Sequence, residues 1–321
     1  MNLLTEQRWK NPFLGIAQWL IVVVIFLFLG KIVWDNWTQV REASFTFRLL
    51  PMILSTLIFG SCYLVQFWVW YLITLKLGIA LSLRETLEGW FYSQLGKYLP
   101  GKVWILLGRF YCYESKGRSK RIISIALYLE TVTLLIAAGL LSLLALVSFR
   151  GEGPLNAGNQ LWGVVSFLAF ALFFSHPRIL ERLLNGVLVR LKREPFSLSI
   201  SYFNVLRFTF LSIIVWLVGG IGFYVFVDSI FPVPFTHFMF LTGALALSST
   251  LGLLALFAPS GLGVREGVLV YLLTFIMPGS VAVIISVATR LWMTLIEIGL
   301  VGMIYFVGLV RNGVKRGAQH V

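Results

Sequence analysis

Charge is what this sequence is short of. Only 12% of its 321 residues are Asp, Glu, Lys or Arg, against about a quarter in an average soluble domain. Acids are the scarcest, 13 in all. Cysteine is nearly missing too: Cys62 lies in an apolar run and Cys112 in a basic stretch, so neither a disulfide framework nor a thiolate metal site is implied. The histidines His176, His237 and His320 are scattered, which leaves no zinc set. No Walker-type loop, HExxH, GxSxG or GxGxxG occurs. These absences exclude an ATP-driven pump working without a partner ATPase, a zinc hydrolase, a serine hydrolase and a dinucleotide enzyme. No cofactor, no metal and no catalytic residue is implied.

What the chain does have is apolar length. Hydrophobic residues make up 59% of it, and the mean hydropathy is +0.89. A helix needs about 20 apolar residues to cross a bilayer, and with all its backbone hydrogen bonds satisfied internally it is the natural way to cross. The expected fold class is therefore an all-α polytopic membrane protein. One transmembrane domain over 1–321 would hold roughly seven or eight helices. Full-length runs cover Phe13–Trp34, Leu49–Leu75, Ile122–Phe149, Phe208–Val227, Phe238–Ala258 and Val281–Val310, with a shorter one at Leu161–Phe174. Val268–Met277 is an apolar run of ten residues, broken only by Thr274, and too short to cross alone.

The cations set an orientation. With Arg8 and Lys10 in the cytoplasm, the loop after the second run collects nine Lys and Arg between Lys76 and Arg121. Six more fall between Arg178 and Arg207, and Arg311, Lys315 and Arg316 close the chain. Twenty of the 26 then lie on one side, and only Lys31, Arg41, Arg48 and Arg150 lie opposite. By the positive-inside rule both termini are expected in the cytoplasm, with the chain in the cytoplasmic (inner) membrane. The same asymmetry explains the basic-aromatic stretches without nucleic acid. Between the halves, residues 178–194 place Ile179, Leu180, Leu183, Leu184, Val187, Leu188 and Leu191 at helical spacing against Arg178, Arg182 and Arg190. That pattern predicts an amphipathic interfacial helix held by anionic membrane lipids.

Two Pro/Gly breaks carry the functional signal. Residues 94–104 contain Lys97, Pro100, Gly101 and Lys102, and residues 257–267 contain Pro259, Gly261, Gly263, Arg265 and Glu266. About thirty residues after each break an ionisable residue stands inside an apolar run: Glu130 after the first, Arg290 after the second. The matched breaks form a weak internal repeat over halves 13–175 and 205–310, with re-entrant or half-helix segments. A broken helix frees backbone N–H groups at a half-helix start, which favours an anionic head group. Charges within spans are costly and tend to mark function. Arg290 and Glu297 are seven residues apart and share a helix face with Thr294, and Glu130 with Arg290 is a candidate cross-helix pair. The candidate substrate-binding residues are Lys97, Pro100, Gly101, Lys102, Arg109, Gly261, Gly263, Arg265 and Arg290. Glu130, Glu266 and Glu297 are candidates for counter-charge or proton coupling.

Leu99-Pro-Gly-Lys102 with Arg109, and Gly261-Leu-Gly-Val-Arg-Glu-Gly267 with Arg290, resemble the two signatures of the lysylphosphatidylglycerol synthase transmembrane-domain, or flippase-like, family. Glu130 falls where that family usually carries a Glu-Arg pair, and here Thr131 follows it. The resemblance runs from about residue 13 to 310. The large soluble aminoacyl-transfer domain of the full synthases is not found in this sequence. What the resemblance implies is a lipid flippase for an anionic lipid, foremost a polyprenyl-phosphate-linked sugar, or else aminoacylated or other phospholipids. A membrane-embedded enzyme that modifies a lipid carrier, or an accessory subunit of a glycosyltransferase, is the reading from a different class.

Overall fold

The computed structural model describes residues 47–98, 103–148, 175–190, 200–255 and 261–317, with isolated positions at 31, 34, 165, 169, 171–173, 192 and 195. Every regular element among them is helical. In chain order these are α1 (Leu49–Lys76), α2 (Leu83–Gln94), α3 (Val103–Glu114), α4 (Lys120–Ser148), α5 (Pro177–Arg190), α6 (Tyr202–Ile230), α7 (Phe238–Leu254), α8 (Val264–Leu273) and α9 (Gly279–Gly317). Short 3₁₀ turns cover Leu95–Tyr98 and Phe235–His237. Five segments are long and apolar enough to cross a membrane: α1, α4, α6, α7 with its preceding turn, and the first 30 residues of α9. They correspond to five of the expected runs. Most of the expected spans 13–34 and 161–174 lies outside the described residues, as do Pro100, Gly101, Lys102 and Pro259.

Local chemistry sets the helix ends. α2 opens on a capping box, legible as Ser82-Leu-Arg-Glu85: the Ser82 hydroxyl accepts the Glu85 N–H at 3.3 Å, and the Glu85 carboxylate accepts the Ser82 N–H at 3.2 Å. α6 starts on Ser201, whose hydroxyl accepts the Asn204 N–H at 3.4 Å, and stops before Pro232 and Pro234. α5 begins with proline, whose missing N–H costs nothing at the first helical position. It covers 177–190, close to the amphipathic segment read from the sequence. α8 is ten residues long, beginning four residues before the short apolar run and ending inside it.

The chain forms two compact units. α1, α4, α5, α6 and the first part of α7 make one, here the span unit. Its helices meet through small residues and hydroxyls, the means by which helices associate where lipid removes the hydrophobic drive. Ser55 of α1 donates to the Gly222 carbonyl of α6 at 2.9 Å, and Gly222 lies against the Phe59 ring. Ser212 of α6 meets Thr133 of α4 at 3.3 Å, and the Trp216 indole donates to the Leu134 carbonyl at 3.1 Å. Ser142 of α4 donates to the Gly243 carbonyl of α7 at 3.3 Å. Gly220 and Gly243 leave no room for a side chain, facing Thr242 and Ala145 respectively. At one end, Arg48 pairs with Asp228.

The other, the hairpin unit, contains α2, α3, α8, α9 and the end of α7. α2 and α3 fold back on each other through the first break. Gly96 makes this return possible: a Cβ there would stand 2.7 Å from the backbone of Trp104 and Ile105. α8 and α9 form the second hairpin, and α9 also passes α2 where Arg84 and Glu88 approach Gly308.

Candidate functional site: a charged seam on the last helix

Arg290 and Glu297 stand two turns apart on α9, one above the other on a single face. In the hairpin unit this face engages both breaks. Glu297, fully buried, forms an ion pair with Lys97 of the first break. Arg290 forms one with Glu266, which follows the second break, at 2.9 Å. Glu266 is 2% exposed and uses both carboxylate oxygens: Oε1 takes Arg290, and Oε2 accepts the Gly263 N–H at 2.6 Å. One side chain thus caps the start of α8 and anchors α9. A carboxylate in the first helical turn is also favoured by the helix dipole. The Ser286 hydroxyl adds a bond to the Glu266 carbonyl at 3.2 Å.

The glycines of the second break are required by geometry. Gly261 and Gly263 have φ of +67° and +82°, a region that side chains with a Cβ rarely adopt. The break also passes directly over the end of α7. A Cβ on Gly261 would be 2.5 Å from the Gly252 carbonyl oxygen, and one on Gly252 would be 2.8 Å from the Arg265 Cβ. Arg265 is thereby held beside α9, where its guanidinium donates to the Met293 sulfur at 3.3 Å. Lys97 lies within electrostatic reach of both Arg265 and Arg290. Among the described residues, three cations and two carboxylates therefore meet along one seam.

Arg109 has a different setting. It is 3% exposed, its Nε donates to the Ser93 hydroxyl at 3.0 Å, and its guanidinium lies 5.3 Å from the centre of the Trp90 ring. It clamps α2 to α3, a role that the sequence reading did not anticipate for it. Glu130 is buried on α4 in the span unit, where its carbonyl accepts the Thr133 hydroxyl at 3.2 Å. The partner of Arg290 within its own unit is Glu266. Ser93, Trp90, Gly252, Ser286 and Met293 were not singled out from the sequence. Trp90 and Ser93 share a helix face and could have been paired with Arg109, but nothing in the sequence marks Gly252 or Met293.

Helices of this length and apolarity define a multi-pass membrane protein. The chain belongs to the family of lysylphosphatidylglycerol synthase transmembrane regions, whose model matches residues 15–302. No curated protein matches it. The family takes its name from a lipid-modifying synthase, which places the chain among lipid-handling membrane domains.

Proposed function

We propose that the protein translocates a lipid with an anionic head group across the cytoplasmic membrane. The observation that carries this reading is the seam, where one face of α9 meets both breaks through buried ion pairs and Lys97 lies within electrostatic reach of Arg265 and Arg290. A phosphate would be attracted to Lys97, Arg265 and Arg290. At Arg290 it would exchange with Glu266, one anion for another, so that the guanidinium is never left bare in a site of low dielectric. Glu266 and Glu297 restore neutrality after release, and Glu130 is a further counter-charge in the span unit. Lys102, Pro100 and Gly101 belong to the same proposal as substrate-binding residues. The lipid tail stays in the bilayer.

A polyprenyl-phosphate-linked sugar and a phospholipid both present the required phosphate, and the first is the substrate we propose. In this proposal 1–321 is one transmembrane domain of seven or eight spans with a twofold internal repeat, and both termini are cytoplasmic. Anionic lipids and a glycosyltransferase are the proposed partners. A lipid-carrier-modifying enzyme would instead use Glu130, Glu266 or Glu297 for proton transfer, and a chemical change in the lipid would mark it. Purified protein in liposomes tests the proposal. Labelled lipid should change leaflet while its mass stays unaltered, and the Arg290→Ala variant should be slower by at least tenfold. Release of sugar or phosphate, or equal rates for the variant and the wild type, would count against translocation.

A further inference from the structure

The span unit contains a cationic recess that plays no part in the proposed translocation. It has a volume of about 460 Å³ and lies where the start of α5, residues 172–173 and the start of α6 meet. Arg178 and Arg182 are one turn apart on α5 and both line it. Among the described residues neither guanidinium has a carboxylate partner. α5 as a whole carries three arginines against the single acid Glu181. His176 accepts the Arg178 N–H on Nδ1 at 3.3 Å, so the neutral ring carries its proton on Nε2, a third donor in this wall. The Tyr202 hydroxyl donates to the Leu172 carbonyl at 3.0 Å, and its ring lies 5.4 Å from that of His176, which fixes the opposite side.

The rest of the recess is apolar. Leu172 and Phe173 are 49% and 61% exposed, and Ile179 lies beside them. Two guanidiniums and an imidazole donor above an exposed aliphatic and aromatic wall match a glycerophospholipid in both polarity and charge. Forked guanidiniums suit a phosphate, and side chains left exposed to lipid tails incur no cost there. A recess of this size suits a head group with its glycerol. We infer that this recess binds one anionic phospholipid as a fixed structural lipid, its phosphate on Arg178 and Arg182 and its acyl chains along Leu172, Phe173 and Ile179. The inference is independent of the translocation proposal.

The full chain, purified and stripped of lipid, is titrated with phosphatidylglycerol, phosphatidylcholine or inorganic phosphate, and bound lipid is counted by native mass spectrometry alongside thermal unfolding. Each cation beside an anionic lipid contributes enough that losing two weakens binding about 30-fold. Arg178→Gln with Arg182→Gln should therefore lose one retained phosphatidylglycerol and the accompanying rise in Tm. The Arg178→Lys, Arg182→Lys chain should keep most of both. Both arginines are exposed, so the substitutions leave the core intact. The inference is overturned if the glutamine chain retains phosphatidylglycerol like the wild type, if phosphatidylcholine binds as well, or if inorganic phosphate alone gives the whole stabilisation.

Discussion

In the span unit, apart from the Arg48–Asp228 pair at one end, the polar groups described between helices are neutral: Ser55, Ser142, Ser212 and Trp216 bond across to carbonyls or a hydroxyl, and glycines bring the backbones close. In the hairpin unit the joining groups are charged, with Lys97, Glu297, Arg290 and Glu266 meeting along α9. Neutral contacts of the first kind are individually weak, and no partner is left charged when one breaks. Buried ion pairs often add no more stability than a well-packed apolar core, yet losing one partner is severe. A region that only needed to hold together would be as well served by the first chemistry. In the proposed translocation, the charged seam is therefore where charge is used, and the span unit is the scaffold.

The comparison can be broken most forcefully at Arg290. Replacing Arg290 by Ala strands the Glu266 carboxylate, with an expected loss of about 3–5 kcal/mol in unfolding free energy and loss of transport. Thermal unfolding in detergent reads the first effect and the liposome assay the second. Neutralising both partners, Arg290→Met with Glu266→Gln, should recover most of the stability. In the span unit, Gly220→Ala pushes a Cβ into Thr242 and should cost about 1–3 kcal/mol by overpacking. Transport per folded molecule should stay unchanged, the opposite signature to the seam. Ser212→Ala removes only the bond to Thr133 and should cost about 0.6 kcal/mol, with no effect on transport.

The smallest effect lies at the start of α2. The Lys116 ammonium, with Ser82, holds the Glu85 carboxyl down at about 2. A depressed carboxyl stabilises the fold above its unfolded value near 4.3, and this contribution is lost as pH falls from there toward about 2. Lys116 is raised by the same pair, so its share is complete below its unfolded value of about 10.4 and fades only as pH rises through the still higher folded value. Glu85→Gln should flatten the acid side of the stability profile slightly, because the pair is in water and screened.

Much of this was legible in the sequence because lipid imposes simple rules. The five described spans match apolar runs to within about four residues, except that α6 begins six residues before its run; α5 was predicted from its amphipathic pattern, and α8 overlaps the short run. The seven-residue spacing of Arg290 and Glu297 fixed their common face, since helical periodicity needs no tertiary information. Which residues face them did not follow. The partner of Arg290 within its own unit, Glu266, depends on how α8 folds back from the glycines of the second break. Arg109 reads from the sequence as a candidate for substrate binding, and its burial is not legible there because a sequence does not show Trp90 and Ser93 closing over it. The approach of Gly252 to Arg265 was equally invisible, since the contact joins elements on either side of the break.

In the proposed translocation the charges on α9 serve transport rather than folding. The Arg290→Met, Glu266→Gln chain separates these two roles. Reconstituted in liposomes at equal folded protein, it should melt close to the wild type while moving labelled anionic lipid at least tenfold more slowly. Wild-type transport by this well-folded, uncharged pair would contradict the account.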